Sequence, residues 1–305
     1  MPRTPGASSS GSGAAVGAGM VPAALGTQTA GSVIRPASYC GAYAIKPTHG
    51  VSNLGGVHPV SPSRDHLGVL AASLEDMWRV IYQIASLGSG PAAQPVLAGG
   101  ETLPKAVKPR RLGVVRLMGW AELDAPTSSA VEAALQRLRE KGVETGTLES
   151  DPALAELDKA ACEVEAPGYD VMAYEMRWPY LAYRETGHEL SDTIAAYLDH
   201  AETVTPERYA EALGLCEQAR ARVGELARGF DALITLSSSG PAPEGFEFTG
   251  SRAFLAAWSI LGFPAISLPV LRVAGLPVGM QLVGTAASDA RLAALARWTD
   301  GALAG

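Results

Sequence analysis

A long stretch without charge constrains this chain more strongly than any other feature. No Asp, Glu, Lys or Arg occurs between Arg3 and Arg35 of the 305 residues. The Ser/Gly-rich start of this stretch gives way to residues typical of protein cores, which argues against a disordered linker. These apolar residues are Val16, Met20, Val21, Leu25, Val33 and Ile34. We therefore expect the stretch to be buried in a folded domain.

Several hydroxyl side chains in this stretch need hydrogen-bond partners if they are buried. They are Ser8, Ser9, Ser10, Ser12, Thr27, Thr29 and Ser32. An unpaired buried polar group costs about 1–3 kcal/mol, so we expect these hydroxyls to bond with the backbone. The interspersed glycines permit tight loops that turn amide N–H groups inward. Such amides are the donors of an oxyanion site.

The motifs of this stretch continue along the chain in a fixed order. They are Gly6–Gly13 (GASSSGSG), Thr27–Ser32 (TQTAGS), Arg35-Pro36-Ala37, Tyr39-Cys40-Gly41, Lys46-Pro47-Thr48 and the distant Gly275–Gly284 (GLPVGMQLVG). With these motifs the sequence resembles the amidase signature hydrolases from Thr4 to Leu295. The resemblance implies an α/β fold in which a mixed β-sheet is sandwiched between helices. We expect residues 1–305 to form one such domain that lacks the N-terminal part.

The resemblance also implies roles for particular residues. Ser32 matches the nucleophile that becomes acylated, and Ser8, which comes 24 residues earlier, matches the bridging serine that relays the proton. The backbone N–H groups of Thr29, Ala30, Gly31 and Ser32 match the oxyanion hole. This implies hydrolysis of the carbon–nitrogen bond of a small or acyl amide. The alternative interpretation is that Ser8 and Ser32 are ordinary loop hydroxyls in a structural turn.

The third catalytic residue of the resembling enzymes is a lysine well upstream of the bridging serine. Only residues 1–4 precede the matching region here, so we expect this lysine to be missing and the domain to be N-terminally truncated. The chain's lysines are Lys46, Lys105, Lys108, Lys141 and Lys159, and none has a pattern that marks a substitute. Two hypotheses follow. The chain is a serine-dependent amidase, or it is an inactive fragment, remnant or binding protein derived from one.

Composition argues against several other classes of protein. The net charge of −7 and the lack of a basic cluster beyond Lys108–Arg111 disfavour nucleic acid as a partner. No apolar stretch approaches the roughly 20 residues that span a bilayer, and the start lacks the apolar core of a signal peptide. Three widely spaced cysteines argue against a disulfide framework and favour a reducing cytoplasm.

No motif for a bound metal or cofactor is recognisable. The five histidines lack any paired helical spacing, which disfavours a metal site. The glycine-rich start also lacks the spacing of a phosphate-binding loop. We therefore expect no cofactor and no metal, a small-molecule amide as substrate, and a possible homodimer.

Hydrophobic periodicity and helix signals predict alternating strands and helices. The predicted strands are 23–28, 42–46, 112–115, 231–235, 265–270 and 278–283. The predicted helices are 14–20, a short helix opened by Ser32, one capped by 73–76, 129–142, an outer helical cover within 152–229, 254–261 and 289–298.

Overall fold

One mixed β-sheet forms the centre of the molecule. The computed structural model describes residues 2–87 and 97–304, apart from the side chain of Pro179. Within these residues the strands are β1 (Ala23–Gln28), β2 (Tyr43–Lys46), β3 (His66–Ala71), β4 (Arg111–Val114), β5 (Glu144–Gly146), β6 (Ala232–Leu236), β7 (Ala265–Val273) and β8 (Leu276–Val283). They form an 8-stranded sheet in the order β1-β3-β2-β7-β8-β6-β4-β5.

The sheet combines two kinds of strand pairing. Pairing is antiparallel from β1 through β3, β2, β7 and β8 to β6. Strands β6, β4 and β5 pair in parallel. Parallel neighbours require a crossover connection between them. The parallel part is accordingly built from the middle of the chain, where strands and helices alternate.

Helices surround the sheet. They are α1 (Ser10–Gly17), α2 (Ile34–Cys40), α3 (Leu74–Leu87), α4 (Ala125–Glu140), α5 (Pro152–Glu163), α6 (Glu165–Glu185), α7 (Asp192–Glu202), α8 (Pro206–Ala227), α9 (Ala256–Ile260) and α10 (Asp289–Leu303), with a 3₁₀ turn at Met118–Glu122. Helices α2, α3 and α10 contact the sheet, whereas α6 packs mainly against α7 and α8. The expected α/β fold with a mixed sheet and helices is confirmed.

The predicted elements agree with the structure at most positions, with three informative differences. Helix α1 lies four residues earlier than predicted, and α2 begins at Ile34, two residues after Ser32. Strand β3 was not predicted at all. It pairs with both β1 and β2, and these long-range pairings give it a partner on each side.

The uncharged stretch is only partly buried, which corrects the expectation from composition. Residues 31–39 are almost entirely buried, but residues 17–22 are exposed, and Met20 is 77% exposed. Ser8 is exposed as well. Close packing accounts for the absence of charge at the end of the stretch that contains β1 and α2. The end that contains α1 borders solvent.

Helix α1 covers the free edge of the sheet at β1. Ser12 Oγ donates to the carbonyl oxygen of Leu25 at 2.6 Å, and Ser9 Oγ donates to that of Thr27 at 3.3 Å. Carbonyls two residues apart in a strand point in the same direction, so the two serines bind along one edge. This close approach requires a glycine between Leu25 and Thr27, because a Cβ on Gly26 would lie 2.6 Å from Ser9 Oγ. The expected bonds between hydroxyls and backbone therefore exist for Ser9 and Ser12.

A fully buried lysine is the last residue of β2. Lys46 Nζ donates to the carbonyl oxygen of Phe263 at 2.5 Å and to that of Pro47 at 3.3 Å. Burial lowers the pKa of Lys46 to about 7, an effect that the negative charge of Asp289 opposes. The charge of Lys46 in turn helps to lower the pKa of His66. Lys46 thus joins β2 to the segment before β7.

The depressed pKa of Lys46 predicts a pH-dependent stability. In the unfolded chain this amine titrates near pH 10.4, so between about pH 7 and about pH 10 the unfolded state binds more protons than the folded state. The contribution of Lys46 to the free energy of unfolding should therefore rise with pH in this range, by at most about 1.4 kcal/mol per pH unit, whereas the three cysteines, whose pKa values burial raises, contribute in the opposite direction at the upper end. Lys46→Met should remove this rise, as measured by urea unfolding at several pH values. The exposed Lys105→Met variant should follow the wild type, and parallel curves for wild type and Lys46→Met would refute the explanation.

Candidate active site

A tight turn connects β1 to α2, and the buried Gln28 organises it. The Gln28 Oε1 atom accepts hydrogen bonds from the amides of Val33 and Ile34, both at 3.0 Å. Its Nε2 atom donates to Ser259 Oγ at 3.1 Å. The first amides of a helix have no partner within the helix. The Gln28 side chain therefore satisfies the start of α2 and anchors the turn to α9.

The amides inside the turn are not used in this way. Among the residues that the structure describes, the N–H groups of Ala30, Gly31 and Ser32 have no hydrogen-bond acceptor. The turn also packs closely, since a Cβ on Gly31 would lie 2.8 Å from Leu255 Cδ1. Consecutive free amides at a rigid turn are suitable donors for a negatively charged oxygen.

Thr29, at the beginning of the turn, forms hydrogen bonds with the consecutive residues Arg64 and Asp65. The Thr29 hydroxyl donates to Asp65 Oδ1 at 2.5 Å, and the Thr29 carbonyl accepts from Arg64 Nε at 3.1 Å. Asp65 Oδ2 also accepts from the amides of Val60 and Ser61 at 2.8 and 2.9 Å. The carboxylate therefore links the loop at 60–65 to the turn. Sequence reasoning missed both Arg64 and Asp65, because 36 residues separate Asp65 from Thr29.

The loop that carries Ser8 packs beside this turn. On one side of Ser8, a Cβ on Gly6 would lie 3.0 Å from Pro36 Cα, and the φ of Gly6 is +117°, which favours glycine. On the other side, Ser9 bonds to Thr27. The fold thus brings the residues that flank Ser8 against residues on both sides of Ser32 in the sequence.

The two serine hydroxyls themselves do not meet directly. Within the described ranges, neither Ser8 Oγ nor Ser32 Oγ forms a hydrogen bond with the other or with a lysine. Ser32 is half-buried and Ser8 is exposed. A relay through one intervening group therefore stays a prediction. The roles of Ser8, Ser32 and the amides of Thr29, Ala30 and Gly31 likewise stay predictions.

The surroundings of the turn are rich in buried basic groups. Burial and, to a smaller extent, the neighbouring charge of Arg252 lower the pKa of Arg64 to about 10. Burial also holds the pKa of His66 well below its usual value, and its Nδ1 atom lies 3.3 Å from the Gln28 carbonyl oxygen. No group of three metal-ligating side chains occurs in residues 2–87 and 97–304. No helix within those ranges is long and apolar enough to cross a membrane.

Comparison with known proteins identifies the family. The sequence profile of the family named Amidase matches residues 2–293. The chain belongs to the amidase family. This agrees with the motifs from which the resemblance was drawn.

The amidase-family relatives are longer than this chain. The mandelamide hydrolase of Pseudomonas putida is 32% identical over 98% of the chain, which covers 62% of that protein. The 2-amino-5-chloromuconic acid deaminase of Comamonas testosteroni is 30% identical over 96% of the chain, which covers 63% of that protein. The chain thus spans less than two thirds of the length of these curated relatives.

Solved amidase structures share the fold. A crystal structure described as an amidase superposes with a TM-score of 0.83 at 27% identity, covering 98% of this chain and 67% of that one. A 6-aminohexanoate cyclic dimer hydrolase superposes with a TM-score of 0.81 at 23% identity, covering 99% of this chain and 69% of that one. At this lower identity the second match supports the fold alone.

The contacts of Asp65 predict its contribution to stability. Asp65→Ala would leave the amides of Val60 and Ser61 without an acceptor, and we expect a loss of about 1–3 kcal/mol in the free energy of unfolding. Asp65→Asn keeps one oxygen that can accept from both amides, so its loss should be smaller. Urea unfolding measures both changes. The control is Glu211→Ala, at an exposed residue inside α8, which should change stability by no more than about 0.5 kcal/mol. Equal effects of Asp65→Ala and Glu211→Ala would contradict this role.

Proposed function

We propose that the chain carries the serine machinery of an amide hydrolase, with Ser32 as the nucleophile. The observation that carries this proposal is the rigid turn before α2, in which the amides of Ala30, Gly31 and Ser32 have no acceptor among the described residues. The nucleophile and the donors for an oxyanion then come from the same turn. Such preorganised donors need no rearrangement when charge develops.

The proposed reaction has two halves. Ser32 Oγ attacks the amide carbonyl carbon, and the carbonyl oxygen takes negative charge in the direction of the free amides. The proton of Ser32 passes through Ser8 to the leaving nitrogen as the carbon–nitrogen bond breaks. The products of this half are an amine or ammonia and an ester on Ser32. Water then cleaves the ester, which releases a carboxylic acid and restores the Ser32 hydroxyl.

A basic group must accept the Ser32 proton before it reaches the leaving nitrogen. In the resembling enzymes this group is a lysine upstream of the bridging serine. Lys46 is fully buried and donates to two backbone carbonyls, and the other four lysines are exposed. We infer that none of these five lysines acts as the base, so efficient turnover requires a lysine from another segment.

The substrate class is inferred from the family and the relatives. A small carboxamide is the simplest choice, and mandelamide is the first compound to test because the hydrolase named for it is 32% identical. A cytoplasmic location and a homodimer, both expected from the sequence, remain predictions. Light scattering on the purified chain tests the second of them.

Activity measurements on serine variants test the mechanism. We expect little or no hydrolysis by this chain alone, and turnover when it is joined to an N-terminal segment that carries the family's lysine. In the joined protein, Ser32→Ala should lower kcat by at least about 1000-fold, because the acyl-enzyme cannot form. Ser8→Ala should also lower kcat strongly.

Ser10→Ala provides the matched control. Ser10 is the first residue of α1, two positions after Ser8, and its side chain has no hydrogen bond to another described residue, so this variant should keep most of the activity. Mass spectrometry after treatment with a fluorophosphonate should locate the label on Ser32. Robust turnover by the Ser32→Ala protein would disprove the proposal. Failure of the joined, folded wild-type protein to hydrolyse any amide or to react at Ser32 would favour the inactive alternative.

A further inference from the structure

A cavity lies beside the turn that begins at Thr29, and neither Ser8 nor Ser32 lines it. Its volume is about 230 Å³. The walls come from the loop at 61–64, from α6 and α8, and from the end of α9. Arg64 belongs both to this wall and to the turn, since its Nε donates to the Thr29 carbonyl oxygen. The cavity is therefore adjacent to the candidate active site but separate from it.

Two arginines in the cavity wall form no ion pair with a carboxylate of the described residues. Arg64 is only 4% exposed, and its Nη1 donates to the Gly168 carbonyl oxygen at 2.6 Å. Arg220 Nε and Nη2 donate to the carbonyl oxygens of Leu261 and Ile260 at 2.9 and 3.3 Å. Across residues 2–87 and 97–304, neither guanidinium forms an ion pair with a carboxylate. Carbonyl oxygens satisfy part of the hydrogen bonding of these groups but do not neutralise their charge.

The other polar residues that line the cavity add one exposed carboxylate and no cation. Burial lowers the pKa of His49, and the charges of Lys46 and Arg220 lower it further, so the imidazole is neutral near pH 7. Ser63 donates its hydroxyl proton to Glu175. Glu217 is the acidic residue of the wall, and it is exposed. Among the lining residues, Arg64 and Arg220 carry positive charge and the solvated Glu217 carries negative charge. Behind the wall, Glu175 accepts from Ser63, and the carboxylate of Glu165 interacts with the charge of Arg64.

Size and charge together define the ligand class. Sites for drug-sized ligands usually measure about 300–1,000 Å³, so this cavity suits a smaller molecule. A guanidinium presents planar pairs of donors that match a carboxylate. A cation would be repelled by the two guanidinium charges of the wall, which disfavours it.

We propose that this cavity is a binding site for a small carboxylate anion, held by Arg64 and Arg220. The site does not depend on Ser32 or on the proposed hydrolysis. Arg64 would then bind both the anion and the Thr29 carbonyl oxygen. A single side chain would therefore separate the anion from the turn.

Acetate binding to the purified chain tests the site. Isothermal titration at constant ionic strength, with chloride as the balancing anion, should show saturable binding with one acetate per chain. Arg220→Gln should weaken binding by roughly tenfold or more, because a charge-assisted hydrogen bond is lost. Arg222→Gln is the matched control, since Arg222 lies on the same helix, pairs with Glu156 and does not line this cavity.

A thiol in the wall locates the bound anion. Cys216 is buried and lines the cavity, whereas Cys40 and Cys162 do not. Acetate should slow alkylation of Cys216 in the wild type and in Arg222→Gln, without slowing that of the other two cysteines. Leu213→Trp provides a second test that leaves the arginines in place, because the larger side chain fills the cavity and should abolish binding. Circular dichroism checks that each variant is folded. Absence of acetate binding to the wild type, or equal binding by Arg220→Gln, Leu213→Trp and Arg222→Gln, would overturn the proposal.

Discussion

The side chain of Gln28 is the contact on which the central turn depends. It is almost completely buried, and its oxygen satisfies two amides at the start of α2 while its nitrogen bonds to α9. Each of these amides would cost about 1–3 kcal/mol if it were buried without a partner. Because Gln28 binds the amides of Val33 and Ile34, the path of residues 29–32 is fixed between a strand and a helix. The free amides of the turn are a consequence, since the chain between these two anchors is too short to form helical hydrogen bonds of its own.

The rest of the site is built outward from this anchor by polar contacts over long distances in sequence. Asp65 and Arg64 bind Thr29, and Glu175 of α6 binds Ser61 and Ser63 in the same loop. A displacement of α6 would therefore reach the turn through hydrogen bonds as well as through packing. On the far side, Ser9, just before α1, and Ser12 of α1 donate to carbonyl oxygens at the edge of β1. The turn is thereby held on the sheet side, the helix side and the loop side.

Local sequence signals predicted much of this architecture. Strand β1 was predicted with the bounds that the structure has, because the residues that end it form a recognisable turn. Helix α4 begins four residues before its predicted start. The signal that was overlooked is Asp124, whose side chain accepts from the Thr127 amide and caps the helix ahead of Pro126. Strand β3 and the partners of Thr29 were not predictable in this way. Their stability comes from neighbours that are distant in sequence, and local patterns in a single sequence do not reveal which distant residues meet. The order of the motifs identified the family, whereas the residues that bind Thr29 became evident only in the structure.

Charge near the turn follows from the same packing. Arg35 donates to the Gly250 carbonyl and Arg64 to those of Thr29 and Gly168, so both guanidinium groups are fixed by backbone oxygens. Arg252 lies close enough for its charge to lower the pKa of each of them. The carboxyl group of Glu165 feels the charges of Arg64 and Arg252, yet burial raises its pKa above the usual value. These cations lie near the carboxylates of Asp65 and Glu165, which partly balance their charge. A negative charge that forms beside this turn would therefore be stabilised mainly by the free amides, whose electrostatic attraction strengthens as water is excluded.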